Sequence, residues 1–186
     1  MKTMEKKIWT YEQLDEIPEH SIVLNGKEIE IRTASVKHGR WVFEVSNKLN
    51  KIFKRKYNVM VGEVGILIKK NPLLILSADI VLISKSILQL APDLVIEIEK
   101  EKEEIDIEEK MNYYSSIGIK KQIWVLLSKR EVIVIEDDKR SIYSFDDEIE
   151  ILEGKKIKFS DIEKEVGLWE LKRDLWEEES IRKFWN

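Results

Sequence analysis

Residues 73–99 read LLILSADIVLISKSILQLAPDLVIEIE, and they contain two apolar segments that are each interrupted by an acid. The segments around Asp79 and Glu97 are short and rich in Ile, Leu and Val, which predicts two strands of a buried sheet. Acids are among the side chains least often buried, and a buried charge needs a compensating partner. Asp79 and Glu97 are therefore the first candidates for a functional site.

A lysine follows these acids on a segment with helical spacing. Strand alternation places Asp79 on the face of Val81 and Glu97 on the face of Val95, so the carboxylates can converge if the strands are neighbours. Lys110, in DIEEKMNYY, lies on the aliphatic and aromatic side of its helix, where it either extends to water or meets a carboxylate. Two interpretations stay open: a functional acid site, or a structural ion pair or exposed edge strand.

The rest of the chain alternates between strand and helix patterns. A short helix capped by Thr10 comes first, and Asn25-Gly26 then predicts a hairpin turn between two strands. Residues 36–56 carry apolar residues three and four apart, and residues 106–117 predict a second helix that stops at Gly118. Further short strands follow. We therefore predict an α/β fold in which helices flank a central mixed β-sheet.

Composition limits the chemistry and the compartment. The 186-residue chain has no Cys and two His, so a metal site would use oxygen ligands, which favours Mg²⁺, Mn²⁺ or Ca²⁺. No segment resembles a membrane span or a signal core, so we expect a cytoplasmic protein without a membrane partner. The formal net charge of −4 argues against general nucleic-acid binding.

The densest basic run is NKLNKIFKRK, in the first long helix. Lys48, Lys51 and Arg55 share one helical stripe in this run. Such a stripe is usually a solvated face with ion pairs four residues apart, such as Glu44 with Lys48. Contact with the phosphates of a nucleic acid is the other interpretation.

The ordered motifs resemble those of the Uma-type family of restriction-endonuclease-like proteins, within the PD-(D/E)xK nuclease superfamily. The similarity covers about residues 11–134. Its most specific part is an ordered set of acids, a lysine and a tyrosine after a proline: Pro92, Asp93, Glu97, Asp106, Lys110 and Tyr114. The resemblance implies a restriction-endonuclease-like fold with a C-terminal helical tail.

The resemblance also implies a function and a site. By position, Asp79, Glu97 and the backbone carbonyl of Ile98 would ligate Mg²⁺ or Mn²⁺, Lys110 would be the motif lysine, and Glu63 would be an auxiliary acid. The implied activity is metal-dependent hydrolysis of phosphodiester bonds in DNA by an endonuclease. The alternative is a noncatalytic module that keeps the fold for nucleic-acid or protein interaction.

Three further positions have two interpretations or depart from the superfamily. His38 is either hydrogen-bonded at the start of its helix or contacts the substrate as an auxiliary residue. Tyr114 is either a core residue or places its hydroxyl near the acids. Glu99 stands where the superfamily motif has its lysine, and in this family the helix supplies that lysine instead.

The C-terminal segment is unusually rich in tryptophan. We assign residues 1–165 to the restriction-endonuclease-like domain and residues 166–186 to a helical extension. A solvated tail normally carries fewer tryptophans than this segment, which contains Trp169, Trp176 and Trp185. The extension therefore either packs on its own domain or forms a dimer contact. We expect a homodimer, which suits an enzyme that cuts both strands of a duplex.

Overall fold

A computed structural model describes residues 8–18, 21–30, 35–85, 91–99 and 105–170. A 3₁₀-helix at Tyr11–Glu16 precedes the regular elements. The helices are α1 (Val36–Phe53), α2 (Ile107–Ser116) and α3 (159–170). The strands are β1 (Ser21–Leu24), β2 (Lys27–Glu30), β3 (Tyr57–Lys70), β4 (Leu73–Ser84), β5 (Leu94–Ile98), β6 (Lys121–Leu126), β7 (Glu131–Glu136), β8 (Lys139–Ser144), β9 (Ile149–Leu152) and β10 (Lys155–Ile157).

The central sheet is mixed, as the sequence predicted. Its order is β2-β1-β4-β5-β6-β7-β8, and β3 pairs with the other edge of β4. Along β4, β1 reaches Ile75 and β5 begins to pair at Ile80, so these two strands share one edge. Only β5 and β6 run parallel among the paired strands of the described residues, and α2 supplies the crossover that a parallel pair requires.

The two faces of the sheet are covered by different helices. Leu94, Ile96 and Ile98 of β5 pack in the core cluster that contains the apolar side of α1. Val95 packs in the cluster on the opposite face, with Met111 of α2. This arrangement confirms the predicted alternation along β5, and it directs Glu97 towards α2.

Alternation alone does not hold along β4. Ala78 and Val81 both pack in the cluster on the α2 side, so the inside-outside pattern shifts by one residue between them. The pairing of β3 with β4 is also irregular there, and Gly62 and Glu63 of β3 have φ angles of 86° and 51°. This shift falls at Asp79, so its neighbours do not fix its face, and the prediction that Asp79 shares the face of Val81 stays a prediction.

The hairpin and the helix ends follow the sequence signals closely. Asn25 and Gly26 have φ angles of 52° and 77°, as a type I′ turn requires. A Cβ atom at Gly26 would lie 2.8 Å from a side-chain carbon of Ile8, so the site also has no room for a side chain. Asp106 caps α2, whereas α1 ends at Phe53, three residues before the predicted end.

The C-terminal part contains more regular structure than the sequence indicated. The helix α3 begins at residue 159, before the predicted extension, and the expected division at residue 165 falls within it. The short strand β10, which pairs with β9, was not predicted. Residues 171–186, including Trp176 and Trp185, lie outside the described residues, so the domain division stays a prediction.

Among the helices of the described residues, none is long and apolar enough to cross a membrane. The expected cytoplasmic location stays a prediction.

Candidate active site

Glu97 lies near the end of β5, and its side chain is 6% exposed. Its Oε1 atom accepts a hydrogen bond from the Tyr114 hydroxyl at 2.6 Å and lies 3.0 Å from Nζ of Lys110. The Tyr114 oxygen is also 3.0 Å from the backbone carbonyl oxygen of Ser77 on β4. Both partners of Glu97 come from α2, because Lys110 and Tyr114 are four residues apart and share one side of that helix.

The environment of Glu97 raises the pKa of its carboxyl group. Burial raises the pKa of this carboxyl from its ordinary value to about 7, against the opposing effect of Lys110, and the neighbouring Asp79 raises it further. Burial likewise raises the pKa of Tyr114 well above its usual range, with a further contribution from Glu97. Burial therefore disfavours the charged forms of both groups, and for Glu97 the ammonium of Lys110 offsets this only in part.

Lys110 is a buried cation that points towards the sheet, as the sequence predicted. Its residue is 5% exposed, and its ammonium pairs with the carboxylate of Glu97 on the strand that precedes α2. The ammonium also lies 5.9 Å from the ring centroids of Tyr114 and Trp124. A lysine at such depth requires a partner of opposite charge, and Glu97 supplies it.

Asp79 forms a second group of contacts at the place where β4 and β5 stop pairing. Its Oδ2 atom accepts a hydrogen bond from the backbone N–H of Ile98 at 2.8 Å, so a side chain takes the place of a backbone acceptor. Nε2 of His38 lies 3.1 Å from the same Oδ2 atom and 3.2 Å from the carbonyl oxygen of Ile98. The Asp79 carboxylate and the Ile98 carbonyl therefore face one common position.

His38 reaches this position from the first turn of α1. Ser35 caps the helix by accepting a hydrogen bond from the backbone N–H of His38 at 3.2 Å. The imidazole is 6% exposed and turns inward to the strands. The histidine is hydrogen-bonded in the first turn of its helix, as one sequence interpretation predicted, and its contact with substrate stays a prediction.

The other acids of the motif region lie around this centre. Glu63 sits on the irregular part of β3, close enough to contribute to the raised pKa of Tyr114. Glu99 accepts hydrogen bonds from the backbone N–H and hydroxyl of Ser128 at 2.7 and 2.9 Å. Asp93, at the opposite end of β5, accepts the backbone N–H of Ser84 at 2.6 Å, which assigns it a structural contact.

The basic stripe of α1 lies away from the acids. Lys48 is ten residues after His38, which corresponds to roughly 15 Å along a helix. Lys48 and Lys51 line a depression of about 240 Å³ together with acidic side chains of α1 and α3. The structure does not bring Lys48, Lys51 or Arg55 to the acid cluster, and their contact with nucleic acid stays a prediction.

The sequence interpretation missed two buried residues beside the site. Trp124 of β6 pairs with Glu97 across the parallel ladder, and Gln122 lies two residues before it on the same face. The indole Nε1 of Trp124 donates to Oε1 of Gln122 at 3.1 Å. A polar residue at even spacing from a tryptophan, inside an otherwise apolar strand, was the available signal.

In the part of the chain that the structure describes, no three His, Asp or Glu side chains converge as a ready-made metal site. The oxygen atoms that could bind a metal ion come from two carboxylates, Asp79 and Glu97, and from the Ile98 carbonyl. The imidazole of His38 lies between Asp79 and that carbonyl. These are donors that Mg²⁺ and Mn²⁺ accept.

The comparisons with known proteins agree with the fold described above. A crystal structure from Anabaena variabilis, described as "a putative nuclease belonging to DUF820", matches with a TM-score of 0.70 and 16% identity, over 83% of this chain and 97% of the other. That likeness establishes the shared fold. No curated protein matches the chain at a significant level. The model of one family, "Uma2: Putative restriction endonuclease", matches residues 9–159. The chain therefore belongs to the Uma2 family.

Proposed function

We propose that this protein is a metal-dependent endonuclease that hydrolyses phosphodiester bonds in DNA. The observation that carries the proposal is the pairing of Glu97 with Lys110 beside a second group in which Asp79 and the Ile98 carbonyl face one position. The family and the fold support a nuclease in general. The metal, the DNA substrate and the internal cleavage are the further parts of the proposal.

The donor atoms present are of the kind that a divalent ion binds. The carboxylates of Asp79 and Glu97 and the carbonyl of Ile98 would hold it, with the His38 imidazole next to them. Burial raises the pKa of Glu97 to about 7, so its charged form lacks stabilisation that a cation would provide. When bound, Mg²⁺ or Mn²⁺ supplies an activated water and offsets charge on the scissile phosphate.

Each protein group has a role of its own. The Lys110 ammonium, 3.0 Å from Glu97, would position the attacking water or stabilise the oxyanion that develops on the phosphate. The Tyr114 hydroxyl holds Oε1 of Glu97, and His38 holds Oδ2 of Asp79. We assign Glu63 an auxiliary place at the edge of the same site.

A second candidate is a noncatalytic module that retains the nuclease fold. The observation that favours it is internal pairing: Lys110 pairs with Glu97, Nε2 of His38 contacts Asp79, and all four side chains are at most 7% exposed. Buried polar contacts of this kind can serve structure alone. Under this alternative the net charge of −4 would favour a protein partner over nucleic acid.

The deciding experiment compares cleavage by four proteins. Wild type, Asp79→Asn, Glu97→Gln and the control Glu108→Gln are incubated with supercoiled plasmid, linear duplex, branched and single-stranded DNA in Mn²⁺, Mg²⁺ or EDTA. Glu108 is a suitable control because its side chain is 61% exposed on the same helix as Lys110. We expect metal-dependent cleavage by wild type and Glu108→Gln only. Absence of cleavage by wild type, without stabilisation by metal, would favour the noncatalytic module.

We also propose that the protein acts as a homodimer through its C-terminal extension. Leu168, close to the end of the described part of α3, is 52% exposed, which leaves an apolar side chain available for contact. Light scattering after size exclusion should give twice the mass of one chain for wild type and a lower mass for Leu168→Glu. Ile142→Glu is the control, because Ile142 is 61% exposed on a different element, the edge strand β8. A wild-type monomer would contradict the proposal.

A further inference from the structure

Gln122 joins the strand beside Glu97 to the helix that carries Lys110. Its side chain is fully buried, and all of its polar hydrogens are used: Nε2 donates to the carbonyl of Met111 at 3.1 Å and to Oγ of Ser115 at 3.0 Å. Its Oε1 atom accepts the indole N–H of Trp124 at 3.1 Å. Because an indole N–H can only donate, Trp124 determines which way the amide of Gln122 is turned.

The two helix contacts of Gln122 lie one turn apart on α2. Met111 directly follows Lys110 in the chain, and Ser115 is four residues further along the same side of the helix. A pair of bonds at this spacing opposes both rotation of α2 about its axis and sliding of α2 along the sheet. The amide group therefore determines where the start of the Lys110 side chain lies relative to β6.

Trp124 lies near the ammonium group at the end of the Lys110 side chain. It pairs with Glu97 in the parallel ladder, so the indole lies beside the carboxylate on the α2 face of the sheet. The Lys110 ammonium is 5.9 Å from the Trp124 ring and 5.9 Å from the Tyr114 ring, and these rings are 6.1 Å apart. Aromatic faces attract a cation, so the two rings confine the ammonium near Oε1 of Glu97.

We propose that Gln122 is a positioning residue for Lys110, and that it acts by orienting α2 and the Trp124 ring. The inference rests on the proposed nuclease function for its catalytic consequence, while the placement of Lys110 can be measured without any activity. The side chain of Gln122 hydrogen-bonds Met111, Ser115 and Trp124, and none of these is a proposed metal ligand. Its loss should therefore lower kcat and leave the KM for DNA and the binding of metal nearly unchanged.

The test uses Gln122→Met, which nearly conserves volume and removes all three hydrogen bonds, and Trp124→Phe, which keeps an aromatic ring and removes the N–H. The control is Ile123→Val, because Ile123 is also fully buried on β6 but faces the α1 side. Each protein is treated below its unfolding temperature with an amine-acetylating reagent, and peptide mass mapping measures labelling of Lys110 relative to the exposed Lys129. Plasmid cleavage in Mn²⁺ gives kcat and KM separately.

We expect Lys110 labelling to rise severalfold in Gln122→Met, to rise less in Trp124→Phe, and to stay at the wild-type value in Ile123→Val. We expect kcat to fall about tenfold or more in Gln122→Met, with KM and the metal-induced stabilisation retained. Labelling of Lys110 that is unchanged in Gln122→Met would overturn the inference. A rise in Ile123→Val as large as the rise in Gln122→Met would also overturn it. If wild type does not cleave DNA but the labelling pattern holds, the positioning role stands and the nuclease proposal fails.

Discussion

The hydroxyl oxygen of Tyr114 lies 2.6 Å from Oε1 of Glu97 and 3.0 Å from the carbonyl oxygen of Ser77, and it has a single hydrogen to donate. One hydrogen serves two acceptors when Glu97 is ionised. A protonated Glu97 can donate to the phenol oxygen and leave the phenol hydrogen for Ser77. The raised pKa of Glu97, which arises first from burial, agrees with this exchange.

The raised pKa predicts how stability changes with pH. In the folded protein Glu97 has a pKa of about 7, above the ordinary value of 4.5, so the folded state binds the proton more tightly than the unfolded state. The contribution is fully present below about pH 4.5 and is lost as the pH rises to about 7, by on the order of 3 kcal/mol. Glu97→Gln should lack this decline. Urea unfolding of both proteins between pH 4 and 8 measures it, and parallel curves would contradict the assignment.

Removal of the Tyr114 hydroxyl should change both the stability of the protein and the pKa of Glu97. Tyr114→Phe leaves the Ser77 carbonyl without this donor, so we expect a loss of about 1–3 kcal/mol in the free energy of unfolding. The hydroxyl lowers the pKa of Glu97, and its loss should raise that pKa further. Urea unfolding at pH 6 and pH 8 should show the larger loss at pH 8. Tyr113→Phe is the control, because the Tyr113 hydroxyl bonds the exposed Glu109.

Replacement of Lys110 should also lower the free energy of unfolding more at high pH than at low pH. Lys110→Met leaves Glu97 buried without its cation, and breaking a buried pair costs about 3–5 kcal/mol when the remaining charge persists. Glu97 can avoid part of this cost by taking a proton, so the loss should be small at pH 6 and larger at pH 8. The double variant Lys110→Met with Glu97→Gln should recover most of the stability at pH 8. If the double variant is less stable than Lys110→Met alone, the pairing does not control the effect.

Metal binding should be visible as thermal stabilisation. Millimolar Mn²⁺ should raise the Tm of wild type, and Asp79→Asn should abolish the rise, because a ligand that binds only the folded state stabilises it. The rise should be greater at pH 8 than at pH 6, since Glu97 must be ionised to bind a cation and its pKa is about 7. Glu108→Gln should behave as wild type. Equal shifts in Asp79→Asn and wild type would place the metal elsewhere.

The part of the site that the sequence predicted rests on local patterns. Alternation along β5 directs Glu97 to the α2 face, and the helical spacing of Lys110 directs it inward to meet that face. The Asn25-Gly26 turn is local in the same sense, because two adjacent residues with positive φ set its geometry. In each case the outcome depends on a few neighbouring residues.

The part that could not be predicted depends on pairing between distant segments. The inside-outside alternation of β4 shifts at Asp79, where β3 and β4 pair irregularly, and no pattern within β4 encodes that step. The approach of His38 to the Ile98 carbonyl spans 60 residues and follows from how α1 packs on the sheet. The sequence identified Asp79 and His38 as candidate site residues, but it did not predict the contact between their side chains.

The amino-acid sequence by itself determined the strand and helix periodicities, the hairpin and the inward directions of Glu97 and Lys110, since these follow from backbone geometry over a few residues. The tertiary structure alone decided which strands became neighbours, where Asp79 met the Ile98 backbone, and that Gln122 and Trp124 would lie beside Lys110. The physical reason is register: a parallel or antiparallel ladder brings together residues far apart in the chain, and local periodicity does not specify that pairing.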